Sequence, residues 1–193
     1  MTDDASVGHS AGVNSLDAAT ARLPPPDFDA VYAAHFAFVW RNLRRLGVRE
    51  SHLDDAAQET WVVVHRRLPT FEGRSSLRTW LVGIAVRVAS DHRRWRRRKD
   101  PHEPMPDDPP YAAPGVSPEG AAERAQAARA LDALLDTIPE ERRTVFVLTE
   151  LEGMSAPEVS EALGIPLNTV YSRLRVARSE FESAASRLRG AKR

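Results

Sequence analysis

Between Asp100 and Gly120 the chain reads DPHEPMPDDPPYAAPGVSPEG, with seven prolines and five acids in 21 residues. Proline lacks a backbone N–H and fixes its own φ, so neither a helix nor a central strand can run through such a stretch. The composition predicts an extended acidic connector. What folds must fold on either side of it, and a length of 193 residues has room for two small units. The predicted organisation is a disordered, polar tail over 1–26 that closes on Pro24-Pro25-Pro26, a first domain over 27–99, the connector over 100–120, and a second domain over 121–193.

Both flanks carry helical periodicity. Phe28, Val31, Tyr32, His35, Phe36, Val39, Leu43 and Leu46 recur at i, i+3, i+4, i+7 spacing, and Gly47 ends the run. His35 on this stripe reads as a core histidine rather than a ligand. A second stripe joins Leu53, Ala56, Ala57, Thr60, Trp61, Val64 and Leu68, stopped by Pro69. After the loop TFEGRSS, a third helix runs from about Leu77 with Trp80, Leu81, Ile84, Ala85 and Val88 inward, and it continues into the basic run HRRWRRRK at 92–99. Beyond the connector, helices are predicted from about Glu119 to Asp136 and from Pro139, as the first helical residue, to Gly153. A short helix follows, opened by a Ser155/Glu158 capping box and ended by Gly164, and then a last one built on TVYSRLRVARSEF. No stretch reads as a strand. The expected fold is all-α: two small helical domains on a Pro-rich acidic linker.

Composition excludes several classes of chemistry. The chain has no cysteine, so disulfides, thiolate metal sites and a cysteine nucleophile are ruled out. Its longest apolar run, WLVGIAV, falls far short of the roughly 20 residues a membrane span needs, and the N-terminus lacks the order of a signal peptide. A cytoplasmic protein without membrane insertion is expected. There is no Gly-rich phosphate loop, zincin motif or nucleophile–base arrangement, so neither an enzyme, a cofactor nor a metal is expected.

Charge is the informative property. The 27 acids balance 27 bases, yet positive charge gathers in 87–99 and 173–193, and negative charge near 50–59, in the connector and in 136–161. Such segregation suits a protein that touches a polyanion and at least one other partner. The capped short helix, glycine turn and final helix form a helix-turn-helix pattern. With Val170 buried, Asn168, Ser172, Arg175 and Ser179 point outward, flanked by Tyr171 and Arg178 on one side and Thr169 and Arg173 on the other. Asn and Arg can read base edges, and Ser, Thr and Tyr can hold phosphates; the bland alternative is a helical hairpin with a solvated face. Asp54, Asp55, Gln58 and Glu59 share one face, which suits a protein partner or simple solvation better than a metal.

At these residues the chain resembles the extracytoplasmic-function sigma factors, compact bacterial specificity subunits of RNA polymerase. The likeness rests on Asp55, Gln58, Glu59, Thr60 and Trp61, on Phe71, Gly73, Ser75, Thr79, Trp80 and Leu81, and on IPEERRTVFVLTELEGMSAPEVSEALGIPLNTVYSRLRVAR in the second half. It covers about 28–99 and 125–189. The resemblance implies that the acids at 54–59 meet the clamp helices of core polymerase, and that Arg74 and Ser75 of the loop lie at an extruded −10 base. It also implies that Arg87, His92, Arg93, Arg94, Arg96 and Arg97 face promoter DNA at the −10 element. Asn168, Thr169, Tyr171, Ser172, Arg173, Arg175 and Arg178 would then read the −35 element, and the acidic linker would pass near the polymerase active-site channel. An anti-sigma factor as partner and a monomeric free state are further expectations of the family. The chain departs from the family at Arg87, where asparagine is frequent, and at Asn168 and Tyr171, where Gly and a Lys or Arg are common. The alternative is a conventional helix-turn-helix regulator, dimeric on an operator, which leaves the first domain's acidic face and basic helix without a purpose.

Overall fold

A computed structural model of the chain describes residues 26–99 and 118–190. The expected N-terminal tail and acidic connector therefore lie outside the described residues, apart from Pro26 and Pro118–Gly120. Seven α-helices carry the described fold: α1 Phe28–Arg45, α2 Leu53–Arg67, α3 Leu77–Lys99, α4 Pro118–Asp136, α5 Glu140–Phe146, α6 Ala156–Leu163 and α7 Leu167–Gly190. Among the described residues, no helix is long and apolar enough to cross a membrane.

The first domain is the packing of α1, α2 and α3 against one another. Asp27 caps α1, its carboxylate accepting the Ala30 N–H at 2.9 Å. Val39, Leu43, Ala56, Val64, Leu81 and Ala85, from the three predicted stripes, are almost fully buried. Short 3-10 turns at Glu50–His52 and Leu68–Thr70, not anticipated, join the helices. Ser76 caps α3, its hydroxyl accepting the Thr79 N–H at 3.0 Å.

In the second domain α5 lies along α7, with α6 closing the corner. Two boundaries differ from expectation. Helix α4 begins at Pro118, so the last three residues assigned to the connector are its first turn. Pro139 is the extended N-cap of α5, with ψ 141°, rather than its first helical residue; no hydrogen bond is lost, because a proline there has none to donate. Helix α5 widens at its end into a π turn, Val147–Leu151, which the unbroken apolar run VFVL did not signal.

The two domains pack against each other. Helix α6 packs on α3 and α4 touches α1, and one continuous apolar cluster runs from Val39 and Leu43 through Leu135, Ile138 and Leu148 to Val170. A Cβ on Gly83 would stand 3.2 Å from the Ala162 carbonyl oxygen, so a residue without a side chain lets α3 and α6 meet backbone to backbone.

Candidate nucleic-acid interface

The helix-turn-helix is built from local rules. The Glu158 carboxylate accepts the Ser155 N–H at 2.8 Å and the Ser155 hydroxyl at 2.7 Å, which closes the first turn of α6. Those two bonds, the hydroxyl first, hold the Glu158 carboxyl below the ordinary glutamate range. Gly164 ends α6 at φ +64°, a left-handed conformation that costs glycine nothing, and the chain turns through Ile165-Pro166 into α7. Val159, Val170, Leu174 and Ala177 are buried beneath the turn, and Phe146 stacks on Phe181 with ring centroids 4.8 Å apart.

This burial presents α7 as expected. Asn168, Tyr171, Ser172, Arg175, Arg178 and Ser179 are exposed, and Thr169 and Arg173 are half-buried at the flank. The flanking arginines are held by acids of their own domain. Arg173 pairs with Glu141, and Arg178 donates to Glu150 at 2.6 Å and 3.0 Å. Arg175, at the centre of the face, makes no ion pair among the described residues.

Helix α3 divides the basic run instead of presenting it whole. Arg87 and Arg94 are exposed; Arg94 pairs with Asp91 at 2.5 Å, so Asp91 does not serve Arg87. Trp95 stays half exposed with its ring edge-on to His52 at 5.6 Å. His92 turns inward to Glu59, 3.0 Å away on α2, and so joins the expected DNA-facing and polymerase-facing sets. Arg93 departs from the expectation of a phosphate contact. It lies one turn beyond the buried Ala89, is itself 7% exposed, and donates to Glu140 of the second domain at 2.7 Å. The inner stripe of α3 simply continues through it. The side chains of Arg96 and Arg97 lie outside the described residues.

The loop before α3 is held by Phe71 against Trp80, centroids 5.2 Å apart, and it projects Arg74, whose partner is Glu72. Ser75 is half-buried beside it. On α2, Asp54, Asp55, Gln58 and Glu59 are all exposed. Among the described residues no group of three or more His, Asp or Glu could hold a metal ion, and His35 packs edge-on to Phe38.

A second set of charged residues escaped the sequence reading. Arg44 donates to Asp132 at 2.8 Å, and burial, opposed by Arg44, pushes the Asp132 carboxyl up from the ordinary aspartate value. Arg41, Arg45 and Arg78 converge on Glu152, a partner 111 residues away in the case of Arg41. The available signal was Glu152 itself, an acid at a helix C-terminus, where the peptide dipole disfavours negative charge.

The sequence matches the family model described as Sigma-70 region 2 over residues 31–99 and that described as Sigma-70, region 4 over residues 128–181. The RNA polymerase sigma-H factor of Pseudomonas aeruginosa is 31% identical over 137 residues, which is 67% of this chain and 71% of that protein. The ECF RNA polymerase sigma factor SigE of Mycolicibacterium smegmatis is 31% identical over 176 residues, 88% of this chain and 66% of that protein. In three dimensions the chain is similar to CnrH in complex with the cytosolic domain of CnrY, with a TM-score of 0.61 and 26% identity over 82% of this chain and 87% of that one. A conventional operator-binding regulator would account for the second match alone. With both segments matched in order, the chain belongs to the extracytoplasmic-function sigma factors, the subunits that direct RNA polymerase to promoters to initiate transcription.

Proposed function

We propose that promoter recognition is divided between the domains: residues 27–99 hold core polymerase and the −10 element, and residues 121–193 read the −35 element through α7. The observation that carries this is the exposed row Asn168, Tyr171, Ser172 and Arg175 on the second helix of a helix-turn-helix, with Arg175 outside any ion pair among the described residues. Arginine and asparagine in such a row can each form bidentate bonds to a base edge. Arg74, Ser75, Arg87 and Arg94 supply the −10 contacts. Arg87 holds phosphate rather than a base edge, since it is exposed about one turn before the basic run, extends that charged stripe and is not tied to Asp91. Asp54, Asp55, Gln58 and Glu59 form the polymerase-facing surface.

The protein carries out no chemistry of its own and works in the cytoplasm, as a monomer when free. Its antagonist is an anti-sigma factor: CnrH is found with the cytosolic domain of CnrY, and RpoE of Bartonella quintana, 19% identical with a TM-score of 0.64, with the anti-sigma factor NepR. The test mixes the protein with core polymerase and genomic DNA and maps transcript starts, with core alone as control. Discrete starts that require the protein are expected. Reversing Asp55 and Glu59 to lysine should weaken core binding; unchanged binding would remove the polymerase role from that face.

A further inference from the structure

We infer that Arg41, Arg45 and Arg78 form an anion seat on the first domain, which Glu152 fills while the domains are packed together and a backbone phosphate of promoter DNA fills once they part. The proposal rests on the reading of the first domain as the −10 partner, and it adds a binding site and a regulated opening that this reading does not contain.

Glu152 has no account within its own domain. It caps the C-terminal end of the π turn after α5, where the peptide dipoles present their negative end. Its side chain is only 1% exposed, and among the described residues every hydrogen bond it accepts comes from the other domain. One carboxylate oxygen takes Arg45 at 2.6 Å and Arg41 at 3.4 Å; the other takes Arg78 at 3.0 Å and Arg41 at 3.4 Å. The floor is the Phe38 ring, 4.4 Å below the Arg78 guanidinium carbon and 5.9 Å from that of Arg41. Three guanidinium groups on an aromatic floor around a single carboxylate leave the seat with surplus positive charge.

That surplus selects the second occupant. Guanidinium forks match phosphate oxygens in the same bidentate geometry as carboxylate, and a phosphate offers more acceptor positions to three arginines. Arg41 and Arg78 keep 45% and 49% of their side-chain surface exposed even with Glu152 in place, so the seat opens onto solvent. Arg78 lies in the first turn of α3, three residues past Ser75, which places the seat beside the loop assigned to the −10 strand. A strand held by Arg74 and Ser75 can run on into it. In the packed arrangement Glu152 occupies the seat, so the chain's apparent affinity for DNA is its open-state affinity multiplied by the fraction of molecules that are open.

The test uses the full chain, which has no native cysteine, labelled at Arg67→Cys and Glu182→Cys for energy transfer between the domains. Two openers act by different physics: Glu152→Gln removes the charge, and Gly83→Leu wedges α3 from α6. Binding is measured with a mixed-sequence single-stranded 12-mer, and with poly-glutamate as a carboxylate control. Both openers should lower energy transfer and tighten DNA binding about tenfold if roughly nine molecules in ten are closed. The log–log salt slope should steepen by up to about 0.7, the value for one phosphate contact on a single strand. Adding Arg41→Ala and Arg78→Ala to Glu152→Gln should abolish that gain while the chain stays open. The proposal is overturned if neither opener changes energy transfer, if open variants bind DNA no tighter, or if the gain appears with poly-glutamate and not DNA. Arg94→Ala, outside the seat, separates the two readings: if it does not weaken DNA binding, the −10 stripe fails, and the Arg41/Arg78 result still judges the seat.

Discussion

Helices α3 and α7 are both basic, yet they use their arginines in opposite ways. On α7 the flanking Arg173 and Arg178 are tied to Glu141 and Glu150 of the same domain, and the central Arg175 is left outward. The exposed face of α7 is therefore complete within its own domain and indifferent to how the domains sit. On α3, and on the neighbouring end of α1, Arg93, Arg78, Arg41, Arg44 and Arg45 all pair across to the second domain. The charge of the first domain thus depends on whether the second is docked. A basic run in a sequence does not declare which of these uses it serves.

The strongest way to break the comparison is to damage the support of one helix alone. Leu174, 5% exposed under α7, should cost about 2–5 kcal/mol on truncation to alanine, measured by urea denaturation. A cost under 1 kcal/mol would mean that α7 is held mainly by its surface ion pairs. Next come the neighbours Arg93 and Arg94. Arg93→Ala leaves the Glu140 carboxylate without that buried donor and should cost about 1–3 kcal/mol, whereas Arg94→Ala should stay within about 0.5 kcal/mol. The reverse order would contradict the division of the basic run. On the α7 side, Arg175→Ala should relax preference at one or two −35 positions by about 1–3 kcal/mol each in a binding assay over randomised sites. An even loss over all sequences would make Arg175 a phosphate anchor.

Acidification gives the smallest effect, and it has opposite signs in the two regions. Glu158, held low by Ser155, contributes to the α6 cap above the ordinary glutamate value, and this contribution is lost as pH falls through its folded pKa. Asp132, raised mainly by burial at the domain boundary, contributes fully below the ordinary aspartate value and loses that contribution as pH rises through its folded pKa. Carboxyl carbon titration by NMR should place the Glu158 midpoint below, and the Asp132 midpoint above, those of the corresponding model peptides. Equal shifts would dismiss the difference.

What could be read without coordinates follows from range. The stripes Val39–Leu43, Ala56–Val64 and Leu81–Val88, the cap at Ser155, the turn at Gly164 and the outward row on α7 all arise from contacts within a turn or two, so periodicity and capping chemistry suffice. The inward turn of Arg93 was within reach of the same counting, since it stands four residues beyond Ala89. Its charge disguised it. The Glu152 cluster was not within reach, because its arginines lie 74 to 111 residues from Glu152, and the one local signal, an acid at a helix C-terminus, names no partner. The acids of 136–161 were read only as a block of negative charge, and the domain opposite is one of the partners they have.

The apolar cluster that crosses the domain boundary gives the packed arrangement a heat-capacity signature. Parting the domains exposes nonpolar surface around Leu135, Ile138 and Leu148 to water, and such exposure raises the heat capacity of the opened form. Apolar association weakens on cooling. The apolar share of the force that holds the halves together therefore fades in the cold, quite apart from salt or pH, and the chain carries a thermal bias in its readiness to open.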